Sequence, residues 1–210
     1  MRVVGITGGI ATGKSTVAAM FKECGAALID ADALSRAAVE PCQPAYHAVV
    51  AQFGTGILRD DGTLDRRALG ALVFRDAEAR RRLEEIIHPH VVQAIQRQLV
   101  EWRASPSPPR LVVVEIPLLY EAGLEEMVDT VVVVSSEQAT QLQRLITRTG
   151  LAPEEAMLRI AAQMPLSEKE ARAAHVISTD KPLQAVREEV RRLYEDLLAG
   201  EGSELDGPTS

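Results

Sequence analysis

The sequence predicts an α/β fold, in which a parallel sheet forms the middle of three layers and helices cover both of its faces. Two observations support this class. Short runs rich in valine, isoleucine and leucine alternate with segments of helical periodicity along the 210 residues. A glycine-rich stretch also joins the first such run directly to the first helix. Alternation of this kind implies parallel strands connected by right-handed crossovers.

The individual strands and helices follow from these patterns in chain order. We expect buried strands at 2–7, 26–30, 110–119, 128–135 and 174–179. We expect helices at 14–25, 137–148, 152–174 and 182–199, the first of which ends at Gly25. The stretch SPSPP at 105–109 is a loop, because its prolines forbid a helix.

A long stretch of helical periodicity separates the second strand from the third. It extends from Ala31 to Trp102, with breaks at 40–44, at 54–63 and at His88–Pro89. Pro89 is expected to interrupt its helix, because proline lacks the N–H group that a helix interior needs. The stretch is too large for a simple crossover, so we expect a helical side subdomain at which a second substrate could bind.

Composition limits the classes of partner and location. The net charge of −7 argues against nucleic acid or an acidic membrane surface as the main partner. Cys24 and Cys42 fit no metal or disulfide pattern. No apolar run approaches the roughly 20 residues that span a bilayer, and the early first strand leaves no room for a signal peptide. We therefore expect a soluble cytoplasmic protein, as a monomer or a small homo-oligomer.

The glycine-rich stretch matches the phosphate-binding pattern G-x-x-x-x-G-K-[ST]. Its residues are Gly8, Gly9, Ile10, Ala11, Thr12, Gly13, Lys14, Ser15 and Thr16. Backbone N–H groups in such a loop surround phosphate oxygens, and the positive end of the next helix points at the same phosphates. We expect the Lys14 ammonium to reach the β- and γ-phosphates and the Ser15 hydroxyl to bind Mg²⁺. The pattern predicts nucleotide binding but does not identify the reaction.

Two aspartates lie at the end of the second predicted strand. They are Asp30 and Asp32 of the stretch IDAD, and Arg36 follows Asp32 by one helical turn. Ligands collect at the carboxyl ends of parallel strands, so we expect Asp32 near the γ-phosphate. A carboxylate there can orient an attacking hydroxyl or accept its proton, and an arginine can hold the acceptor, as in a kinase. Both aspartates could instead cap the next helix.

Six stretches occur in an order that resembles the dephospho-coenzyme A kinase family. They are GITGGIATGKST, IDADALSR, VEPCQPAY, IIHPH, EIPLLYEAGLEEMVD and RIAAQMPLSEKEARAAHVI, and the similarity extends from about Arg2 to Leu198. This resemblance implies phosphorylation of the ribose 3′-hydroxyl of dephospho-CoA by ATP with Mg²⁺, the final step of coenzyme A biosynthesis. ATP and dephospho-CoA would then be the substrates.

The resemblance also implies a domain organisation. Residues 1–200 would form a single P-loop kinase domain, whose core comprises about 1–32, 110–137 and 175–200. A helical CoA-binding subdomain would occupy about 33–105, and a helical lid about 138–174. Residues 201–210 are expected to be a disordered tail.

The resemblance assigns an acceptor site to named residues. Asp32 is the expected base for the 3′-hydroxyl, and Arg36 would help to place the acceptor. His88 could contact substrate or be a structural histidine. The family's stretch beside the CoA site corresponds to Pro117, Leu118, Leu119, Tyr120 and Glu121. Its leucines could equally belong to the core, whereas its tyrosine could stack on a base.

Positive charge in the predicted lid favours stabilisation of the transferred phosphoryl group. Arg144 and Arg148 are four residues apart on one helix face, and Arg159 lies on the next helix. By resemblance we assign Arg144 and Arg148 to catalysis, whereas Arg159 could equally be a solvated surface residue. Gln163 could reinforce the hinge or contact the nucleotide.

Three residues depart from the family's pattern. Ala11 stands where the family often has a third loop glycine, so it has to tolerate the local backbone. Glu115 stands where the family often has aspartate or an apolar residue, which leaves its role towards Mg²⁺ open. Thr179 stands where an asparagine is expected near adenine, which leaves the preferred donor base open.

Two alternatives to this function compete with it. Another small-molecule P-loop kinase, acting on a nucleoside or nucleotide, would share the loop, but IDAD and PLLYE count against it. A non-catalytic nucleotide-binding module would bind ATP without forming ADP when dephospho-CoA is added. A GTPase is disfavoured because the sequence lacks a guanine-reading N-K-x-D stretch.

Overall fold

The computed structural model describes residues 1–199, apart from the side chain of Phe74. The chain divides into two compact units. The first unit comprises Met1–Asp30 and the chain from Pro106 onward, and the second unit is Ala31–Ser105. The predicted tail at 201–210 lies outside the described residues. Within 1–199, no helix is both long enough and apolar enough to cross a membrane.

The described part of the first unit contains a five-stranded parallel sheet. The strands are β1 (Arg2–Gly8), β2 (Ala27–Asp30), β3 (Leu111–Glu115), β4 (Thr130–Ser135) and β5 (His175–Ser178), in the spatial order β2-β3-β1-β4-β5. Every pair of neighbouring strands is parallel, which confirms the predicted fold class. Because β1 lies between β3 and β4, the loop that follows β1 begins at the centre of the sheet.

The helices fall into the two units by position in the chain. They are α1 (Lys14–Glu23), α2 (Ala31–Ala38), α3 (Pro44–Phe53), α4 (Arg66–Arg75), α5 (Ala77–Arg103), α6 (Gln138–Thr149), α7 (Pro153–Ala161), α8 (Leu166–Arg172) and α9 (Leu183–Ala199). Short 3₁₀ turns cover Thr55–Ile57 and Glu125–Met127. Helices α2 to α5 belong to the second unit, and the others belong to the first.

Two helices form one main core with the sheet. Phe21 of α1 and Val190 of α9 are fully buried in a cluster with Val4 and Ile6 of β1. Burial of each such side chain stabilises the fold by about 1.5–3 kcal/mol. Because residues of one strand alternate between the two faces of the sheet, this cluster identifies the face that α1 and α9 cover.

Packing on the other face of the sheet requires a glycine at position 5, in β1. A Cβ atom added at Gly5 would lie 2.7 Å from Leu119 Cδ1 and 3.0 Å from Val128 Cγ2. Such a separation is too short for a carbon–carbon contact, so the absence of a side chain at Gly5 lets Leu119 pack directly on β1. Leu119 is fully buried there.

The second unit has a smaller apolar core, which includes Val49, Ile57 and Leu69. Aspartates begin two of its helices. The Asp65 side chain accepts from the N–H groups of Arg67 and Ala68 at the start of α4, and Asp76 caps α5 in the same way. These bonds satisfy N–H groups that have no partner within the helix.

The predicted interruption at Pro89 is wrong. Helix α5 continues from Ala77 to Arg103 with Pro89 in its interior. A proline there costs about 3 kcal/mol, but α5 buries Ala79 before it and Val91 and Ile95 after it. Packing on both sides of the proline therefore offsets the lost hydrogen bond.

Strand β3 is shorter than the predicted 110–119. The ladder between β3 and β1 ends with the bond from the Ile116 N–H to the Ile6 carbonyl, at 2.9 Å. The next residue is Pro117, which has no N–H group to continue the ladder. The predicted helix at 152–174 is also divided, because Pro165 directly precedes α8.

Candidate active site

The phosphate-binding loop lies between β1 and α1, and its backbone demands small residues. A Cβ atom at Gly8 would lie 2.1 Å from the carbonyl oxygen of Val134, and Gly8 has a φ of +147°. Gly13 has a φ of 92°, and Ala11 has a φ of 58°. For a residue with a side chain, this left-handed backbone costs about 1–2 kcal/mol. Ala11 therefore adopts a backbone that glycine would adopt more easily.

The first turn of α1 presents N–H groups to the loop. Gly13 occupies the N-cap position and has no side chain with which to cap the helix, and the first turn contains no acidic residue. The N-terminal N–H groups and the helix dipole together favour a bound anion. The local sequence thus provides an anion site at this helix end.

The ammonium of Lys14 lies over the same loop. Its Nζ donates to the carbonyl oxygens of Gly8, at 3.1 Å, and of Gly9, at 2.7 Å. Phosphate oxygens are negatively charged and bind an ammonium more strongly than neutral carbonyl oxygens do. Lys14 can therefore exchange these bonds for bonds to a nucleotide phosphate.

Ser15 and Glu115 form a pair at the carboxyl end of the sheet. The Ser15 hydroxyl donates to Glu115 Oε1 at 2.7 Å. Glu115 is 8% exposed and ends β3, where it pairs in register with Asp30 of β2. The structure thus places a carboxylate beside the serine that the sequence assigned to metal binding. Sequence reasoning had left the role of Glu115 open.

Arg144 reaches the loop from α6 through Thr179. Its Nη1 donates to Thr179 Oγ1 at 2.8 Å, and its Nη2 donates to the Thr179 carbonyl oxygen at 3.0 Å. Thr179 Oγ1 in turn lies 2.8 Å from the Thr12 carbonyl oxygen, to which it can donate. Arg148 is exposed one turn further along α6. The structure therefore brings Arg144 to the loop, by a contact that the sequence did not predict.

Two glutamines also contact the loop. Gln163, between α7 and α8, accepts from the Ile10 N–H through its Oε1 at 2.7 Å. Gln141 is 4% exposed, donates to the Ser136 carbonyl oxygen, and has its Oε1 2.7 Å from the position of a Cβ on Gly9. A cavity of about 540 Å³ adjoins this region, lined by Gly9, Ser136, Gln138, Gln141, Ile160, Ala161, Gln163, Met164, Pro165, Leu166, Ser167 and Glu170. The loop is thus bordered by helices α6 to α8.

The segment Pro117–Glu121 is largely packed into the first unit. Leu119 is fully buried and Tyr120 is 6% exposed, so Leu119 is a core residue in this structure. The Arg172 guanidinium lies 4.2 Å from the centroid of the Tyr120 ring. It therefore covers one face of the tyrosine that, from the sequence, could stack on a base. Burial is the main cause that raises the pKa of Tyr120 above its ordinary value. Pro117 and Leu118 are half-buried.

The predicted acceptor residues of the second unit lie on two helices. Asp32 is in the first turn of α2, which begins directly after β2, and Arg36 is in its last turn. Both residues are exposed, and because they are four residues apart they lie on one face of the helix. His88 is half-buried within α5.

Sequence reasoning missed one buried cation in the first unit. Lys169 of α8 is 0% exposed and contacts Glu121 and the Pro117 carbonyl oxygen. Nothing in the local sequence distinguishes it from the other charged residues of SEKEAR, because burial depends on where α8 packs. Arg159 is paired with Glu155 on α7, at 2.9 Å.

These features define a class of protein. A G-x-x-x-x-G-K-S loop between a central parallel strand and a helix, with its lysine over the loop and a carboxylate beside its serine, is the nucleotide site of a P-loop protein. The family model for dephospho-CoA kinase matches residues 2–185. The chain belongs to the dephospho-CoA kinase family and is therefore a kinase, which confirms the resemblance seen in the sequence.

Individual relatives agree with this assignment. A dephospho-CoA kinase of Anaeromyxobacter dehalogenans is 49% identical over 205 residues, which cover 98% of this chain and 96% of the relative. Among solved structures, one from Thermus thermophilus is 34% identical with a TM-score of 0.76, over 93% of this chain and 97% of that one. Dephospho-CoA kinase from Campylobacter jejuni is 26% identical with a TM-score of 0.69, over 95% and 98%. The similarity therefore extends over nearly the full length of each chain.

Proposed function

We propose that this chain transfers the γ-phosphoryl group of ATP to the ribose 3′-hydroxyl of dephospho-CoA, the final step of coenzyme A biosynthesis. The observation that carries this proposal is the phosphate-binding loop, with Lys14 and the Ser15–Glu115 pair, in a chain whose family match covers residues 2–185. The loop supports ATP as the phosphoryl donor, and membership of the family supports dephospho-CoA as the acceptor.

The donor is held by the loop and by α1. N–H groups of the loop and of the first turn of α1 bind the β- and γ-phosphates, and the Ile10 N–H must first release Gln163 Oε1 to take part. The Lys14 ammonium exchanges the carbonyl oxygens of Gly8 and Gly9 for phosphate oxygens. Arg144 adds a second positive charge beside the loop, where Thr179 holds its guanidinium. Arg148 is assigned to the same lid, α6 to α8, and contributes charge when that lid closes.

The oxygen atoms present fit a magnesium ion. Mg²⁺ is bound by few protein oxygens, together with phosphate oxygens and water, so the hydroxyl of Ser15 and the carboxylate of Glu115, 2.7 Å apart, suit it. Within residues 1–199, no group of three or more His, Cys, Asp or Glu side chains is placed to hold a metal ion. A bound Mg²⁺ supplies neutralisation of the charge on the phosphates.

The chemical step is an in-line displacement. The 3′-oxygen of the acceptor forms a bond to the γ-phosphorus while the bond from that phosphorus to the β,γ-bridging oxygen breaks, and ADP leaves. The Asp32 carboxylate orients the 3′-hydroxyl and takes its proton. Arg36, one turn away on the exposed face of α2, helps to hold the acceptor.

The acceptor also requires contacts with the rest of the molecule. We assign the helical unit Ala31–Ser105 to CoA binding, with His88 as a residue that could contact substrate. The segment Pro117–Glu121 contributes from the first unit, mainly through the half-buried Pro117 and Leu118. Leu119 and Tyr120 support this segment from within the core.

The test is an ADP-release assay with ATP and four acceptors: dephospho-CoA, adenosine, AMP and pantetheine. Dephospho-CoA should give the highest kcat/KM, and mass spectrometry should show one added phosphoryl group. Dephospho-CoA that lacks the 3′-hydroxyl is the matched control and should give no product. Faster turnover of adenosine or AMP would identify a nucleoside or nucleotide kinase instead. ATP binding without ADP formation would identify a non-catalytic module.

A further inference from the structure

Lys169 is a charged residue of the first unit that the proposed mechanism does not use. Its side chain has no exposure to solvent. Its Nζ lies 2.8 Å and 3.0 Å from the two carboxylate oxygens of Glu121 and 3.2 Å from the carbonyl oxygen of Pro117. The ammonium thus donates two hydrogen bonds, to Glu121 Oε2 and to the Pro117 carbonyl oxygen, and forms an ion pair with the same carboxylate. A buried charge is tolerated when it is paired in this way.

The partners of Lys169 have further partners of their own. The Pro117 carbonyl oxygen also accepts from the Thr7 hydroxyl of β1, at 3.1 Å. Glu121 Oε1 also accepts from the Met164 N–H, at 3.1 Å. The network thus joins the carboxyl end of β1, the segment Pro117–Glu121 and the connection between α7 and α8. Both donors to Pro117 fix the position at which this segment leaves β3.

We propose that Lys169 and Glu121 are positioning residues for the segment Pro117–Glu121, and that Glu121 acts as the counter-ion of Lys169. This inference rests on the proposed function, which assigns that segment to the acceptor. The side chain of Glu121 is 23% exposed, and both of its carboxylate oxygens are bound to protein groups. Under this proposal Glu121 affects the acceptor indirectly, through Lys169 and the segment, rather than by the direct substrate contact predicted from the sequence.

The first part of the test is thermal stability, which needs no substrate. Glu121→Gln leaves a fully buried ammonium without a counter-charge and should lower Tm by about 5–10 °C. Lys169→Met removes the buried charge and leaves a partly exposed carboxylate that water can reach, so Tm should change by less than about 4 °C. The double variant, which combines Glu121→Gln with Lys169→Met, should recover most of the decrease in Tm caused by Glu121→Gln alone.

The second part of the test compares the effects on KM for dephospho-CoA and on KM for ATP. A methionine side chain cannot donate to the Pro117 carbonyl, so Lys169→Met and the double variant should raise KM for dephospho-CoA by roughly 10-fold, as for one lost charged hydrogen bond. KM for ATP should stay within about twofold. A purely structural role predicts instead that activity recovers together with Tm in the double variant.

Thr7→Val provides an independent variant if either charge variant fails to fold. It removes the other donor to Pro117 while the ion pair remains, and valine has nearly the same shape as threonine. KM for dephospho-CoA should rise by roughly threefold to 10-fold, with KM for ATP unchanged. Glu155→Gln, which removes a carboxylate from the half-buried pair with Arg159, is the matched control and should change neither constant.

Two results would overturn the inference. One is a KM for dephospho-CoA within twofold of the unaltered chain in both Lys169→Met and Thr7→Val. The other is a Tm for Glu121→Gln that equals the Tm of the unaltered chain. If the unaltered chain made no CoA at all, the proposed function would fail first, and the assignment of the segment to an acceptor would fail with it.

Discussion

Arg144 and Thr179 are joined by two hydrogen bonds, in which one guanidinium binds both the side-chain and the backbone oxygen of a single threonine. The distances are 2.8 Å to Oγ1 and 3.0 Å to the carbonyl oxygen. Since Thr179 Oγ1 also lies 2.8 Å from the Thr12 carbonyl oxygen, this residue links α6 to the phosphate-binding loop. Thr179, at the position where the resemblance led us to expect an asparagine, thus has a defined contact in this chain.

The first prediction concerns that contact. Thr179→Val should lower kcat/KM for ATP by about 10- to 100-fold, because a hydrogen bond to a charged group contributes about 1.5–3 kcal/mol. Thr179→Ser keeps the hydroxyl and should stay within about threefold. In an Arg144→Ala background, Thr179→Val should cost far less, since the two residues act together. Steady-state kinetics of the four variants measures this, and additive losses would contradict the link.

The second prediction concerns the loop lysine. Lys14→Ala should weaken ATP binding by roughly 10- to 100-fold, because two charge-assisted bonds to phosphate are lost, and turnover should fall as well. Isothermal titration calorimetry with ATP measures the first effect. Lys22→Ala, at the exposed other end of α1, is the control. Normal turnover by Lys14→Ala would be incompatible with the proposed donor site.

The third prediction concerns the proposed base. Asp32→Asn should lower kcat by roughly 10²- to 10⁴-fold, the usual range for a general acid or base, while Kd for ATP should not change. The exposed Asp60 of the same unit allows the same substitution as a control. An unchanged kcat would remove Asp32 from the mechanism.

The fourth prediction concerns Glu115. Glu115→Gln should raise the Mg²⁺ concentration for half-maximal activity by roughly 10-fold, because a neutral amide is a poorer ligand for Mg²⁺ than a carboxylate. Titration of activity with Mg²⁺ at saturating ATP measures the effect. The same change at the exposed Glu188 should have none. An identical Mg²⁺ dependence in both variants would limit Glu115 to its hydrogen bond with Ser15.

The fifth prediction concerns pH and the cap of α4. Hydrogen bonds from the Ala68 and Arg67 N–H groups lower the pKa of Asp65. A carboxyl whose pKa is lower in the folded state stabilises that state above its unfolded pKa, near about 4, and this contribution is lost as pH falls through the folded pKa. Asp65→Ala should therefore lower Tm at neutral pH, and the difference should shrink below about pH 4. Asp65→Asn, which can still cap, should lower Tm less.

The sequence was sufficient to predict the sheet, the loop and the family because each depends on local patterns. Uniform apolar runs predict buried parallel strands, and the spacing from Gly8 to Ser15 predicts a phosphate loop. The course of α5 was not predictable from Pro89 alone, because packing of Val91 and Ile95 outweighs a local preference. The end of β3 at Glu115 could have been predicted from Pro117.

Contacts between distant parts of the chain were beyond local patterns. Glu115 lies 100 residues from Ser15, and Thr179 lies 167 residues from Thr12. Their pairing depends on the order of strands in the sheet, which local periodicity does not specify. The burial of Lys169 has the same origin, since only the docking of α8 separates it from solvent.

Gly5 narrows the range of sequences that this fold can accept. A methyl group there would lie 2.7 Å from Leu119 Cδ1, so an alanine at this position requires the Leu119 side chain to shift. Gly5 therefore shapes the packing on this face of the sheet, although it lies three residues before the loop and bears no chemical group of its own. Its contribution is the space that it leaves for a neighbouring side chain.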